Sequence, residues 1–486
     1  MNKAAILALP LLMLAACTND EPNPELITGV IVPGEGDTPD YDPEATPSFS
    51  YDIAPYAGQT ATDAVSYPAG NPDLNPDENS WENVVTVTYQ GSGATVTGAS
   101  EAGVTASVNG ANVDLALGSG KQIRIVCTGA SDCGSLRLTG GHKHLLELNN
   151  LTLKSADRPA INDQIKKRVF VVLKGKNSLE DGADYIVTSE QRKGCFFAED
   201  HIILCGDGVL RIKGNYRHGL VTDGFLFVNS GATLAVTDAA KNAIHVKGSG
   251  VNNDFRGIEI VGGYVYANTS APAGKAMRCD GSIRLRGGVL SLNCSGDAAT
   301  DPDDNTLSSS ACIKTDTDLL LSGGSVSLCA TGHGGKGVTA DRDILISGGR
   351  LSAAVSGDAT SAQGDSSVPK GLNAHRNIAV TAGGVSVSAI GAGSTALGAD
   401  FDMTISGGVT YAFGTAYGVK AQTSVVNKGI FLCGGAESTA VAGTESNAYD
   451  NIEPDLITTL RNPEGRTIGT FRWPVALPAA TLQWSL

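Results

Sequence analysis

The chain has 486 residues, with 50 Asp and Glu against 35 Lys and Arg, for a formal charge of −15. Hydrophobic residues make up 41% but aromatic ones only 5%, which suits a core of small side chains. Apart from a short run at the start, no apolar stretch is long enough to span a bilayer. No basic cluster suits nucleic acid, so no nucleic-acid partner is expected.

Residues 1–17 read as a lipoprotein signal peptide. Lys3 supplies a positive start, Ala4 to Leu12 form a short apolar run, and Leu14-Ala15-Ala16-Cys17 has the form of a lipobox. Lipidation of Cys17 by several acyl chains predicts an outer-membrane lipoprotein, on the cell surface or the periplasmic face. The acids Asp20 and Glu21 just after that cysteine resemble a surface-export signal. Residues 18–81, rich in Pro, Asp, Glu, Thr and Gly, read as a disordered acidic tether. Residues 18–82 hold 14 acids, and no Lys or Arg falls between Lys3 and Lys121. The acidity therefore belongs to this stretch, and formal charges balance from residue 121 onward.

Residues 82–142, with alternation through Val84-Val85-Thr86-Val87-Thr88-Tyr89, predict an N-terminal β cap. From 143 to 440 the dominant signal is a repeat. Gly-Gly pairs recur at 262, 287, 323, 348, 383, 407 and 434, at intervals of 25, 36, 25, 35, 24 and 27 residues. Each unit reads as three short strands with a glycine bend between the first two, and a unit so short must stack on its neighbours to bury its apolar side. The intervals do not match propeller blades, which need about 40 residues. The expected fold is all-β: a right-handed, single-stranded parallel β-helix with β-strand caps. Residues 441–486, with Arg472, Trp473 and Trp484, are expected to cover its far end.

Stacking would set equivalent residues in columns. At the end of the third strand one column reads Glu199, Asp223, Lys247, Asp280, Asp316, Asp341, His375, Asp400 and Gln422. Two roles stay open for its acids: calcium coordination, or capping of each turn through backbone amides, which the recurrence of the turn favours. Two residues earlier lie Val221, His245, Arg278, Lys314, Thr339, Asn373, Gly398 and Lys420, flanked by His218, Lys275, Lys336 and Lys370. This mixed basic and polar strip could meet a polysaccharide with one donor set per repeat. His218, His245, Arg278, Lys314 and Lys336 are its candidate carbohydrate-binding residues. Ordinary solubilising side chains on exposed strands are the alternative.

Two insertions interrupt the repeat. Residues 297–310 contain Asp301, Asp303 and Asn305, which have the alternate-oxygen spacing that opens calcium loops, although Thr306 stands where glycine should follow. The candidate calcium ligands are thus Asp301, Asp303, Asn305, Asp316 and Asp341. Residues 358–369 read as a plain surface loop. Nine cysteines remain after Cys17, and most alternate with apolar residues as small buried side chains; Cys127 and Cys133 could bridge a short loop. No compact group of acids with a basic residue marks a catalytic centre, so no enzyme is expected.

The series from Leu145 to Asp163, Lys166 to Leu173, Gly214 to Gly219 and Ala243 to Val246 resembles bacterial lipoproteins with a calcium-associated, cellulose- and polygalacturonate-binding parallel β-helix domain. The resemblance spans roughly 82–440. It implies a pectate-lyase-like shape without lyase activity, and non-catalytic binding of polysaccharide, with calcium as an assisting ion. The sequence departs from the family pattern at Asn242-Ala243-Ile244, at Ala311-Cys312-Ile313 and in both insertions. Alternatives are a structural or adhesive surface stalk and a calcium-dependent polysaccharide lyase.

Overall fold

The computed structural model describes residues 68–118, 120–248, 257–301, 305–461 and 467–485. The signal peptide, Cys17, residues 18–67 of the tether, and Asp303 lie outside them. The described chain is almost wholly β, and no helix in it is long and apolar enough to cross a membrane. It divides into two compact units, one running to Ser270 and including Ala276–Val289, the other comprising Ala271–Lys275 and the chain from Leu290 onward.

In the first unit strands pair in parallel with strands one repeat away, forming three columns. The first runs through Val169–Lys174, Ile202–Gly206, Leu226–Val228, Gly257–Ile260 and Ser282–Leu285. The second runs through Lys176–Glu180, Val209–Gly214, Thr233–Ala239 and Tyr264–Thr269. The third includes Ile161–Asp163, Gly194–Ala198, His218–Thr222, Ile244–Val246 and Lys275–Cys279. Residues before 143 join by mixed pairing: Asn83–Gln90 is antiparallel to Gly93–Thr97 but parallel to Ile123–Ser131.

The second unit repeats the scheme. Its third column holds Ala311–Thr315, Lys336–Ala340, Lys370–Ala374, Thr395–Ala399 and Tyr417–Lys420. Register aligns Ile313, Val338, Leu372, Leu397 and Val419, each at most 2% exposed, as one aliphatic ladder. Each such side chain contributes roughly 1.5–3 kcal/mol by leaving water. At the residue before, in both units, stand Cys195, Gly219, Cys312, Gly337, Gly371 and Gly418. Only small side chains fit there: a Cβ on Gly371 would lie 2.0 Å from Cγ1 of Val387. Cys195 and Cys312 meet this demand for size, and Cys205, Cys279, Cys329 and Cys433 are buried as well, as their alternation predicted. Cys127 and Cys133 are both free, one buried and one exposed, so no bridge joins them.

The strand pairing corrects the expectation of an open, right-handed, single-stranded parallel β-helix. Fourteen parallel strands are instead linked in a closed, barrel-type circuit. Two long strands account for the closure. His144–Lys154 pairs with both Val169–Lys174 and Lys176–Glu180, joining two columns of the first unit. Ile344–Val355 pairs with both Leu319–Leu321 and Ser325–Ala330 in the second. Gly348 and Gly349, read from the sequence as a bend between strands, lie inside that long strand, as Gly383 and Gly384 lie inside Ile378–Ala389. A positive φ at Gly349 (70°) and Gly383 (85°) lets the backbone shift register there without leaving the sheet.

Leu477–Ser485 runs antiparallel to both Ile430–Gly435 and Glu445–Ile452. Trp473 is fully buried beside Phe413 and Phe471, and its indole N–H donates to the Thr458 hydroxyl at 2.8 Å. Both insertions form antiparallel hairpins, Ala299–Thr300 with Leu307–Ser308 and Thr360–Ala362 with Asp365–Ser367. The second is thus a built element rather than the plain loop expected.

Candidate functional site

Alternation along the third column turns one residue of each strand inward and the next outward. Register aligns Val221 with His245 and His245 with Arg278 in the first unit. In the second it aligns Lys314 with Thr339, then Asn373, Gly398 and Lys420. These are the neighbours the repeat spacing predicted.

In the first unit the cations of this strip are matched by acids. Asp280 lies 3.3 Å from the Arg278 guanidinium and 3.5 Å from Nε2 of His245. Burial pushes its carboxyl up, but His245 and Arg278 outweigh that and hold it below the ordinary range. Asp223 lies 2.6 Å from the Lys193 ammonium and 3.5 Å from that of Lys247. His218 is only 2% exposed, and its Nδ1 accepts the Asn242 amide at 3.1 Å. Burial, with repulsion from His245, Arg217 and Lys241, drives its pKa well below the usual value. It is a neutral internal side chain packed edge-on against His245, with ring centroids 4.9 Å apart.

In the second unit Lys314 sits between Asp316 at 3.1 Å and Asp341 at 2.5 Å, and His375 approaches Asp341 at 3.3 Å. Backbone amides are met two residues further on, and on the next repeat instead of the residue's own turn: Asp318 accepts the amide of Asp343, Asp343 that of Asn377, and Asn377 that of Asp402, at 3.1–3.2 Å. The flanking lysines have different partners. Lys336 donates to the Ser367 hydroxyl at 3.0 Å, and Lys370 to the Asn373 side-chain oxygen at 2.7 Å. Burial first, then repulsion from Lys370 and Lys275, pushes Lys336 down to about 7.

Beside Lys370 opens a cavity of about 620 Å³, lined among others by Thr395, Asp400, Tyr417, Lys420 and Gln422. The Lys420 ammonium stands 4.6 Å from the Tyr417 ring centroid, and the Tyr417 hydroxyl donates to Glu437. The cavity thus combines cations, a carboxylate, an amide and an aromatic ring, and its size suits a small-molecule or sugar unit. The sequence reading missed Tyr417, although Tyr417 continues the flanking column from Lys336 and Lys370 through Thr395.

Among the described residues no group of three or more His, Cys, Asp or Glu side chains could hold a metal. A single ammonium, that of Lys314, pairs with both Asp316 and Asp341, the two candidate ladder ligands. Asp301 and Asn305 close the tip of the first hairpin, where the Asn305 amide donates to the Asp301 carbonyl at 2.9 Å and Asn305 has φ 59°. The donor set on view does not fit calcium held by protein side chains alone.

A sequence model of the family described as carbohydrate-binding domain-containing protein matches residues 109–254 and 257–417, more than half of the chain. No curated protein matches the chain. Among solved structures, the polysaccharide lyase-like protein from C. thermocellum, in its gadolinium derivative, is similar with 17% identity and a TM-score of 0.38, over 60% of this chain and 96% of that one. A likeness of that grade bears on neither fold nor activity.

Proposed function

Since the chain belongs to the family of carbohydrate-binding domain-containing proteins, we propose that it binds polysaccharide without cleaving it, on the outward face of the third strand column. The observation that supports this most is the cavity at Lys370, Asp400, Tyr417 and Lys420, on the strand column of the second unit that also carries the Lys314–Asp341 pair. Sugar hydroxyls both donate and accept, and the strip offers both kinds of partner at the strand spacing of about 4.8 Å. Tyr417 adds an apolar ring face for a pyranose.

The proposal extends to an acidic, pectin-like glycan and to anchorage of the protein in the outer membrane through Cys17, with the glycan met at the cell surface or in the periplasm. Calcium enters it only as an ion whose ligands come largely from the glycan, because Asp316 and Asp341 are already engaged by Lys314.

Affinity electrophoresis through gels containing polygalacturonate, with calcium and then with chelator, tests the reading. Retardation of the wild-type protein is expected, weakened at least tenfold in apparent affinity by the combined Arg278→Ala and Lys314→Ala substitutions. Unchanged mobility across polygalacturonate and neutral glycans would sink it. Unsaturated products, detected by ultraviolet absorbance, would replace binding with cleavage.

A further inference from the structure

Between Glu180 and Gly194 the chain makes a thirteen-residue excursion, 181–193. The next two repeats make the same turn in three residues, 215–217, and four, 240–243. The first half of the excursion is clasped. The Asp181 carboxylate accepts the Tyr185 hydroxyl at 2.5 Å, the Tyr185 ring stacks on Tyr216 with centroids 3.9 Å apart, and the Ile186 amide donates to the Asp157 carbonyl at 2.9 Å. Gly182 and Gly194 pin the ends: a Cβ would lie 1.7 Å from the Ala156 carbonyl oxygen at the first and 2.5 Å from that of His218 at the second.

The return half, 187–193, lies against the outward line of the third column, which register carries from Val221 back through Phe197 and Asn162 to Arg137. Glu190 accepts from the Arg137 guanidinium at 2.9 Å and from the Asn162 side-chain amide at 3.2 Å. Hydrogen bonding from Arg137 outweighs burial and holds the Glu190 carboxyl below its usual range, so this latch is charged at neutral pH. The Gln164 side chain donates to the Gln191 carbonyl at 2.8 Å, and the Lys193 ammonium, paired with Asp223, stands 5.1 Å over the Phe197 ring. Asn162 is 4% exposed and Phe197 0%, although both occupy outward positions. What holds this half down is polar and partly exposed, and Val187 turns to solvent at 94% exposure. Contacts of that kind open at far lower cost than a packed aliphatic ladder.

We propose that residues 187–193 are an autoinhibitory flap, latched by Glu190 over the N-terminal end of the glycan-binding face. Displacing the flap adds Arg137, Asn162 and Phe197 to that face. This rests on the glycan-binding reading and concerns access to the face, whatever the sugar. In the latched state the outward line is usable only from His245 onward, since Phe197 and Val221 are both 0% exposed. In the open state it runs unbroken from Arg137 to Arg278 over six successive strands. Phe197 then offers an aromatic ring to a pyranose face, which it cannot do while covered.

The test pairs affinity electrophoresis in polygalacturonate gels with hydrogen exchange read by mass spectrometry, both on the full chain. Glu190→Ala is expected to speed exchange across 187–193 about tenfold and to tighten polygalacturonate binding about fivefold. Asp184→Ala, which removes the same charge from an exposed position in the clasped half, is expected to change neither. Polygalacturonate added to the wild-type protein is expected to speed exchange across 187–193, because a ligand that displaces the flap bares its amides. An equal gain from Asp184→Ala would trace the effect to charge repulsion and overturn the flap, as would a Glu190→Ala protein of unchanged affinity. Slower exchange across 187–193 on adding polygalacturonate would make the segment part of the binding surface and overturns it too. Each of these outcomes leaves glycan binding standing. No retardation of any of the three proteins overturns both readings.

Discussion

The stretch around Asp280 in the first unit and the stretch around Lys336 in the second each stand on a third-column strand of their own unit but solve opposite electrostatic problems. In the first, one carboxylate serves both Arg278 and His245, and charge is cancelled within the protein. In the second, Lys336 meets a serine hydroxyl supplied by an inserted hairpin, and charge is left uncancelled. The scaffold is the same, with the same inward aliphatic ladder and the same small residues one position earlier. Whether a cation is satisfied depends on what reaches it from outside the repeat. Similar positions therefore need not share a function, and the uncancelled one is the better place to look for a ligand.

The largest expected effect is on the shared scaffold. Leu372→Ala empties a fully buried position and should cost about 2–5 kcal/mol in urea denaturation, lowering stability without shifting the relative glycan preferences of the folded protein. An effect below about 1 kcal/mol would show that the ladder is not the common support of the column.

Next comes the uncancelled charge. With its pKa near 7 in the folded protein against about 10.4 in the unfolded chain, Lys336 binds fewer protons when folded. Stability should rise as pH climbs from about 7 to about 10, because the unfolded state is the more protonated one across that window. Lys336→Met should flatten that rise and be the more stable protein at pH 7, read from denaturation midpoints at pH 7 and 9.5.

The cancelled stretch should respond less, and substitution there should destabilise where Lys336→Met stabilises. Asp280 has a depressed pKa, so its contribution is present above the unfolded value of about 3.9 and is lost as pH falls through the lower folded value. Asp280→Asn should remove about 1 kcal/mol or less at pH 7, as expected of a partly exposed pair, and should shrink the acid-side loss. The smallest effect is expected from Ser308→Ala, a few tenths of a kcal/mol by thermal melting, since Lys275 keeps its bond to the Ala273 carbonyl.

Column membership was legible in the sequence because the spacing of Gly pairs fixes which residues stack, as His245 on Arg278 and Thr339 on Asn373 show. The closing of the pairing was not. Gly348-Gly349 reads as a break, and only the structure shows hydrogen bonds continuing on both sides of it in one strand. The acids were placed correctly in line but the amide-accepting role was misplaced: Asp318 and Asp343 accept amides from the next repeat, while Asp316 and Asp341 pair with Lys314. A two-residue offset changes the direction of a side chain along a turn in ways that periodicity does not encode. The partners of Lys275 and Lys336 were invisible for a simpler reason. Ser308 and Ser367 lie on insertions, and no repeat rule says where an insertion lands.

The backward run of Leu477–Ser485 along Ile430–Gly435 acts as a chain terminator in the polymer chemist's sense. A stack of parallel strands offers at its last edge the same template that built it, so another copy could add without limit. Reversing the final strand changes that template from parallel to antiparallel. The next strand outward, Glu445–Ile452, is largely exposed and carries Glu445 and Asp450. Growth at this end is closed by geometry first and by charge second, which keeps the number of steps a fixed property of the chain.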